Sequence, residues 1–214
     1  MSVDVLVEPF YEWIVDASQI KGVRPDISGV TYVEDPLPYI KRKLLTVNTG
    51  HSAIAYLGYA RGKATILAAL EDYAVRDVAS KALEETGLLL VREYGFDPEE
   101  LREYRQKVLA RFGNPRISDE VTRVARAPIR KLGHDERFVS PALRLFEMGL
   151  APTHLAAVIK AVLGFDYPQD EEAVELQETM RAEGERAALA YYATIAEDHP
   201  LVDLVMERSD RIRE

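Results

Sequence analysis

The sequence predicts a mainly α-helical fold, a multi-helical, bundle-like domain with a small β-containing segment at its N-terminus. Three observations lead there. From Leu37 onward nearly every segment places apolar residues at i, i+3, i+4 and i+7. Capping and breaking residues punctuate those segments at helical lengths. Period-two alternation occurs only in the first 36 residues.

In that opening part Val3, Val5 and Val7 alternate with smaller or polar neighbours, as do Tyr11, Trp13 and Val15, so two short strands are expected. Gly22, Pro25, Gly29 and Pro36 mark a loop with one more brief strand at Thr31 to Val33. Residues 1–36 therefore read as short strands and a connector, and 37–214 as a helical domain. The first helix spans Leu37 to Tyr59, the next begins at Ile66, Leu67 and Leu70, and a third carries Val75, Val78, Ala79, Ala82 and Leu83 up to Gly95. Asp97 is placed to cap a helix with Pro98 in its first turn and Leu101, Tyr104, Val108, Leu109 and Phe112 along its stripe, ended by Gly113, Asn114 and Pro115. Ser118 is the expected cap of the next helix, which Pro128 should break or kink. Helices follow at Pro141 to Gly149 and Pro152 to Leu163, then from Asp170 to about Ala182, to about Ala196, and after Pro200. There is no repeat period, which excludes a solenoid.

Composition narrows the function. A chain of 214 residues, 47% hydrophobic, can bury a sizeable core. Its net charge of -9 and pI near 5.1 disfavour sequence-independent nucleic-acid binding and anionic membranes, so neither partner is expected. Without cysteine, thiolate metal sites and disulfides are excluded, and the four histidines stand at no metal-ligand spacing, so no metal is expected. No stretch approaches the roughly 20 apolar residues that span a bilayer, and the N-terminus lacks a basic region followed by an apolar run. The expected location is cytoplasmic.

Within LPYIKRKLLTVNTGHSAIAYLGY the spacing Lys43, Asn48, His51 gathers a base, an amide and an imidazole. At 100° per residue they fall at roughly 0°, 140° and 80° on one side of a helix. Leu44, Leu45, Val47, Ile54, Tyr56 and Leu57 fill the other sides, which suggests burial beneath a pocket. The plainer alternative is a solvated basic turn at Lys41 to Lys43, a local hydrogen bond from Asn48 and a satisfied buried His51. A second cluster, RVARAPIRK, holds Arg123, Arg126, Arg130 and Lys131 without an acid. If helical geometry persisted past Pro128, the three arginines would align at i, i+3 and i+7 and could hold an anion, guanidinium forks being suited to phosphate oxygens. The alternative is a solvated basic face. His134, His154 and His199 lie in or near polar turns and read as surface histidines, and the adjacent pairs Glu84–Glu85, Glu99–Glu100 and Glu171–Glu172 as solvated or dipole-facing residues.

VEDPLPYIKRKLLTVNTGHSAIAYLG, with VEPFYEWIVDASQIKGVRPDISGV, LLVREYGFDPEEL and RFGNPRISDEVTRVARAPIRKL in the same order, resembles the substrate domain of the polyol-specific long-chain dehydrogenases, the mannitol dehydrogenase family. The resemblance implies a helical domain like the C-terminal domain of 6-phosphogluconate dehydrogenase. It further implies NAD-dependent oxidation of a polyol phosphate, with mannitol 1-phosphate and fructose 6-phosphate as the interconverted pair. Such chemistry needs a group that takes the hydroxyl proton as hydride leaves, and a lysine serves only if its pKa falls from about 10.4 toward 7 to 8. By similarity to the family, Lys43 is that acid/base, Asn48 stabilises the developing oxyanion, and His51 holds a substrate oxygen. Arg123 and Lys131 match the family's substrate contacts, with Arg126 and Arg130 as further phosphate ligands.

A dinucleotide site needs a strand, a glycine-rich turn and a helix N-terminus, and no Gly-x-Gly occurs in the chain. The sequence resembles the part that follows the family's nucleotide-binding domain. NAD would then be bound mainly by that absent domain, separate or fused, and this chain alone would be inactive. Two other readings stay open: a non-catalytic helical binding or assembly module, and the substrate domain of a dehydrogenase for an unphosphorylated hexitol or hexuronate.

Overall fold

The computed structural model describes residues 10–116 and 119–208. The expected strand at Val3 to Val7 and the expected cap at Ser118 lie outside them. The chain divides into two units, Met1–Arg42 and Lys43–Glu214.

The first unit holds β1 (Trp13–Asp16) and β2 (Val30–Val33), paired in parallel with Trp13 opposite Val30 and Asp16 opposite Val33. Parallel strands need a crossover of about a dozen residues, which the intervening loop supplies. The loop opens with a 3₁₀ turn at Ala17–Gln19, where Asp16 Oδ1 accepts from the Ser18 N–H at 2.9 Å. Asp35 then accepts from the Leu37 N–H at 2.9 Å and starts α1 (Leu37–Lys43).

In the second unit a π-helical turn, Leu44–Asn48, leads into α2 (Thr49–Ala60). α2 is the central helix: Ala53, Ile54, Ala55 and Tyr56 are fully buried, because α3 (Ile66–Glu71), α4 (Tyr73–Tyr94), α6 (Val121–Ala125) and α9 (Thr153–Leu163) pack against it. Its all-round apolar surface, unusual for an exposed helix, is that of a core element. Close approach is built in at Gly58, where a Cβ would come within 2.6 Å of Ala69 Cβ.

Asp97 acts as expected from the sequence and accepts the first-turn N–H groups of α5 (Pro98–Phe112); Asp72, which the sequence reading did not single out, does the same for α4, each cap contributing about 1 kcal/mol. Gly95 ends α4 in the left-handed region at φ 68°. α7 (Pro128–Leu132), α8 (Val139–Glu147), α10 (Glu171–Glu183), α11 (Glu185–Ala193) and α12 (Pro200–Met206) complete a mainly helical architecture. One acid and two histidines do more than the sequence suggests. Glu85 accepts the His154 and Leu155 N–H groups at 2.8 Å, so a residue of α4 caps α9 from the side, and its Oε1 also contacts His154 Nδ1 at 2.8 Å. Likewise His199 Nδ1 accepts the Leu201 N–H at 3.1 Å and caps α12.

Candidate active site

The helix bearing Lys43, Asn48 and His51 is not a uniform α-helix. Over Leu44–Asn48 the turn widens, and the Thr49 N–H returns to Leu44 O, an i→i+5 bond. The wide turn brings positions 43 and 48 closer in angle than the roughly 140° expected of a straight α-helix. It also displaces carbonyls that need partners, and threonine hydroxyls supply them. Thr49 Oγ1 donates to Leu44 O at 2.8 Å, and buried Thr86 donates to Leu45 O at 2.6 Å. Beyond the turn, Asn48, His51 and Ser52 form one wall of a cavity of about 240 Å³. Lys43 is exposed and does not line it.

His51 stacks on Phe112 with ring centroids 4.7 Å apart and planes 12° from parallel. Its Nε2 lies 3.0 Å from Asp119 Oδ2, but off the N–H direction, a contact that becomes an ion pair only when the ring is protonated. Burial pushes the imidazole pKa below its ordinary value. Asp119 pulls it back, and Arg123 and Arg111 push it down again. The ring is thus neutral at neutral pH.

The opposite wall is basic: Arg123, Arg126, Arg130, Lys131 and Arg137. The straight helical face imagined for the arginines does not exist. α6 stops at Ala125, Ala127 turns left-handed at φ 61° and ψ 60°, and Pro128 opens α7. Proline forbids a continued helix, so the chain folds back and the basic residues reach one hollow across a sharp turn. Lys131 is 4% exposed; its Nζ donates to Val124 O at 2.8 Å and to Arg126 O, and sits 5.4 Å from the Tyr56 ring centroid. Tyr56 Oη donates to Ala125 O. Together they satisfy the carbonyls at the end of α6. Burial lowers the Lys131 pKa to about 7, helped by Arg137 and Arg130 and opposed by Asp170 and Glu172.

Arg123 pairs with Asp119, four residues earlier. Glu136 bridges Arg130, at 3.5 Å, and Arg137, at 3.1 Å, while Arg137 Nη1 donates to Ser52 Oγ at 3.3 Å and so ties the two walls together. Of the seven residues singled out in the sequence, the cavity gathers Asn48, His51, Arg123, Arg126, Arg130 and Lys131, and leaves Lys43 outside. Ser52, Asp119 and Arg137 were missed. Ser52 adjoins His51 and could have been found by helical phase; Asp119 and Arg137 arrive through tertiary packing and carry no local signal. Among the described residues no three His, Asp or Glu side chains converge to hold a metal ion. The cationic wall suits an anion.

The family model for the mannitol dehydrogenase C-terminal domain matches residues 35–206. The chain belongs to this family. A mannitol-1-phosphate 5-dehydrogenase from Brevibacillus brevis is 49% identical over 210 residues, covering 98% of this chain and 54% of that protein. The enzyme of the same name from Geobacillus stearothermophilus is 46% identical over 210 residues, with 98% and 55% covered. This mannitol dehydrogenase C-terminal domain thus spans about half the length of the curated relatives it matches. Two solved structures share its fold. Substrate-free D-sorbitol dehydrogenase superposes with a TM-score of 0.77 at 19% identity, covering 95% of this chain and 46% of that one. Pseudomonas fluorescens mannitol 2-dehydrogenase, in complex with NAD and D-mannitol, gives 0.65 at 20% identity, covering 87% and 39%. The helical fold expected from the sequence is therefore the fold of this family's C-terminal domain.

Proposed function

We propose that this chain is the substrate-binding and acid–base half of an NAD-dependent polyol-phosphate dehydrogenase that interconverts mannitol 1-phosphate and fructose 6-phosphate. One observation carries the reading: a single cavity is lined by an amide and a neutral imidazole, Asn48 and His51, and by four arginines, Arg123, Arg126, Arg130 and Arg137. At about 240 Å³ it lies below the roughly 300–1,000 Å³ of drug-sized clefts, a size suited to a small polar metabolite. The phosphate belongs at the arginines, which leaves the polyol end beside Asn48 and His51.

As the alcohol carbon gives up hydride, its oxygen gains negative charge before becoming a carbonyl. The Asn48 amide donates a hydrogen bond to that oxygen. Neutral His51 orients a neighbouring hydroxyl. Lys43, one wide turn before Asn48, takes the hydroxyl proton, a role that calls for a covering surface to desolvate its amine. The hydride acceptor of this chemistry is a nicotinamide. That the described residues form no glycine-rich turn between a strand and a helix N-terminus supports assigning the dinucleotide to a nucleotide-binding domain. Residues 1–36 serve as the connecting segment to that domain, and 37–214 as the substrate domain.

The test mixes this chain with a separately produced NAD-binding domain of a family member and follows NADH. Oxidation of mannitol 1-phosphate, lost in Lys43→Ala and weakened at least about tenfold in KM by Arg130→Ala, is expected. Equal use of free mannitol would assign an unphosphorylated hexitol instead. Binding of the two domains without turnover would leave a helical assembly module.

A further inference from the structure

The basic turn is held from outside by the first turn of α10. Ala127 sits in the left-handed region, which costs any residue carrying a Cβ, so an external contact has to hold it there. That contact comes from Asp170. Oδ2 accepts the Ala127 N–H at 2.9 Å while Oδ1 accepts the Ala173 N–H, also at 2.9 Å, as the cap of α10. Glu172, on the same turn, accepts the Arg130 N–H at 2.9 Å. Each acid thus gives one oxygen to a backbone amide of the basic turn, and Asp170 gives its other to the cap of α10. Arg126 precedes Ala127, and Arg130 and Lys131 follow it, so the conformation of this one residue sets where all three point. Lys131 Nζ reaches back across the turn to Val124 O and Arg126 O.

We propose that Asp170 is the positioning residue of the cavity's anion site: by holding the Ala127 N–H it fixes the left-handed turn that brings Arg126 and Arg130 to one hollow. This rests on the reading of the cavity as a phosphate site. It also makes a prediction opposite in sign to simple electrostatics, since deleting a carboxylate beside a cationic site ordinarily strengthens anion binding.

Binding of inorganic phosphate to the whole chain is measured by calorimetry for wild type, Asp170→Ala, Asp170→Asn and Asp170→Ala/Ala127→Gly. Alanine and asparagine remove the same charge, but asparagine keeps one acceptor oxygen, which serves the Ala127 N–H at the expense of the Ala173 N–H. Asp170→Ala should weaken phosphate about tenfold, Asp170→Asn should weaken it less because one acceptor remains, and Ala127→Gly should restore the alanine variant, because glycine adopts the left-handed turn unaided. In Asp170→Ala the Ala127 amide should also exchange with solvent about tenfold faster, a readout independent of any ligand. Tighter phosphate binding in both single variants would reduce Asp170 to a charge and overturn the proposal. A loss that Ala127→Gly does not restore would reduce it to a cap of α10, and equally overturn it. If wild type binds neither phosphate nor mannitol 1-phosphate, the anion-site reading fails and this proposal with it, whereas unchanged binding in Asp170→Ala removes the positioning role alone.

Discussion

Thr86 of α4 donates its hydroxyl to Leu45 O at 2.6 Å, the carbonyl of a residue 41 positions earlier, within the π turn that precedes Asn48. The bond is fully buried, and a second contact to Leu83 O at 3.3 Å keeps the hydroxyl seated on its own helix. The irregular turn at the candidate site is therefore sustained from the core, by a polar group buried among apolar ones.

Replacing Thr86 with valine keeps the shape and removes the donor. The buried Leu45 carbonyl then lacks its partner, which costs about 1–3 kcal/mol. Urea denaturation should show that loss for Thr86→Val and a smaller one for Thr86→Ser, which retains the hydroxyl. Equal stability of Thr86→Val and wild type would remove this account of the π turn.

Gly58 marks the closest approach of α2 to α3. Alanine there gains about 0.5–1 kcal/mol of helix propensity, but its methyl would meet Ala69 Cβ at 2.6 Å, and overpacking of this kind costs about 1–3 kcal/mol. Gly58→Ala should be net destabilising in thermal unfolding, and Ala69→Gly in the same chain should recover part of the loss. A more stable Gly58→Ala would show that the helices separate freely.

His51 should titrate below the ordinary histidine value when followed by ring NMR signals, since burial outweighs the pull of Asp119. Asp119→Asn removes the main raising influence, so its midpoint should fall further. Arg123→Gln should move it upward, because that guanidinium opposes the imidazolium. A midpoint that ignores both substitutions would mean that Asp119 and Arg123 do not act on the ring.

Lys131 ties stability to pH. Its amine titrates near pH 7 in the folded chain against 10.5 for an ordinary lysine. Between those values the unfolded chain binds a proton that the folded chain does not, so this residue's contribution to stability rises with pH across that window. Below about pH 7 its penalty is complete. The stability difference between wild type and Lys131→Met should therefore shift in favour of wild type by about 1 kcal/mol per pH unit from pH 7.5 to 9.5, by urea denaturation. Parallel curves would show that Lys131 keeps its proton throughout, held by Val124 O, Arg126 O and the Tyr56 ring.

The helices were legible because their signals are local: Asp97 before Pro98 and Gly95 after Tyr94 act within a few residues of themselves. Asn48 and His51 were legible through spacing, and the basic residues through their concentration in an acidic chain. The π turn was not, because the leucines over Leu44–Asn48 fit an α-helix equally well and the choice falls to Thr86, far along the chain. Nor was the route by which the arginines converge: Pro128 announced a break, but its direction depends on Ala127 and on Asp170 of α10.

By itself the sequence determined the helical class, most helix ends and six of the residues that line the cavity, Asn48, His51, Arg123, Arg126, Arg130 and Lys131. Tertiary structure alone decided how those residues meet. A cap or a period is an interaction between neighbours in the chain, whereas the burial of Lys131, the setting of His51 between Phe112 and Asp119, and the left-handed turn at Ala127 each require partners that only the packed core brings together.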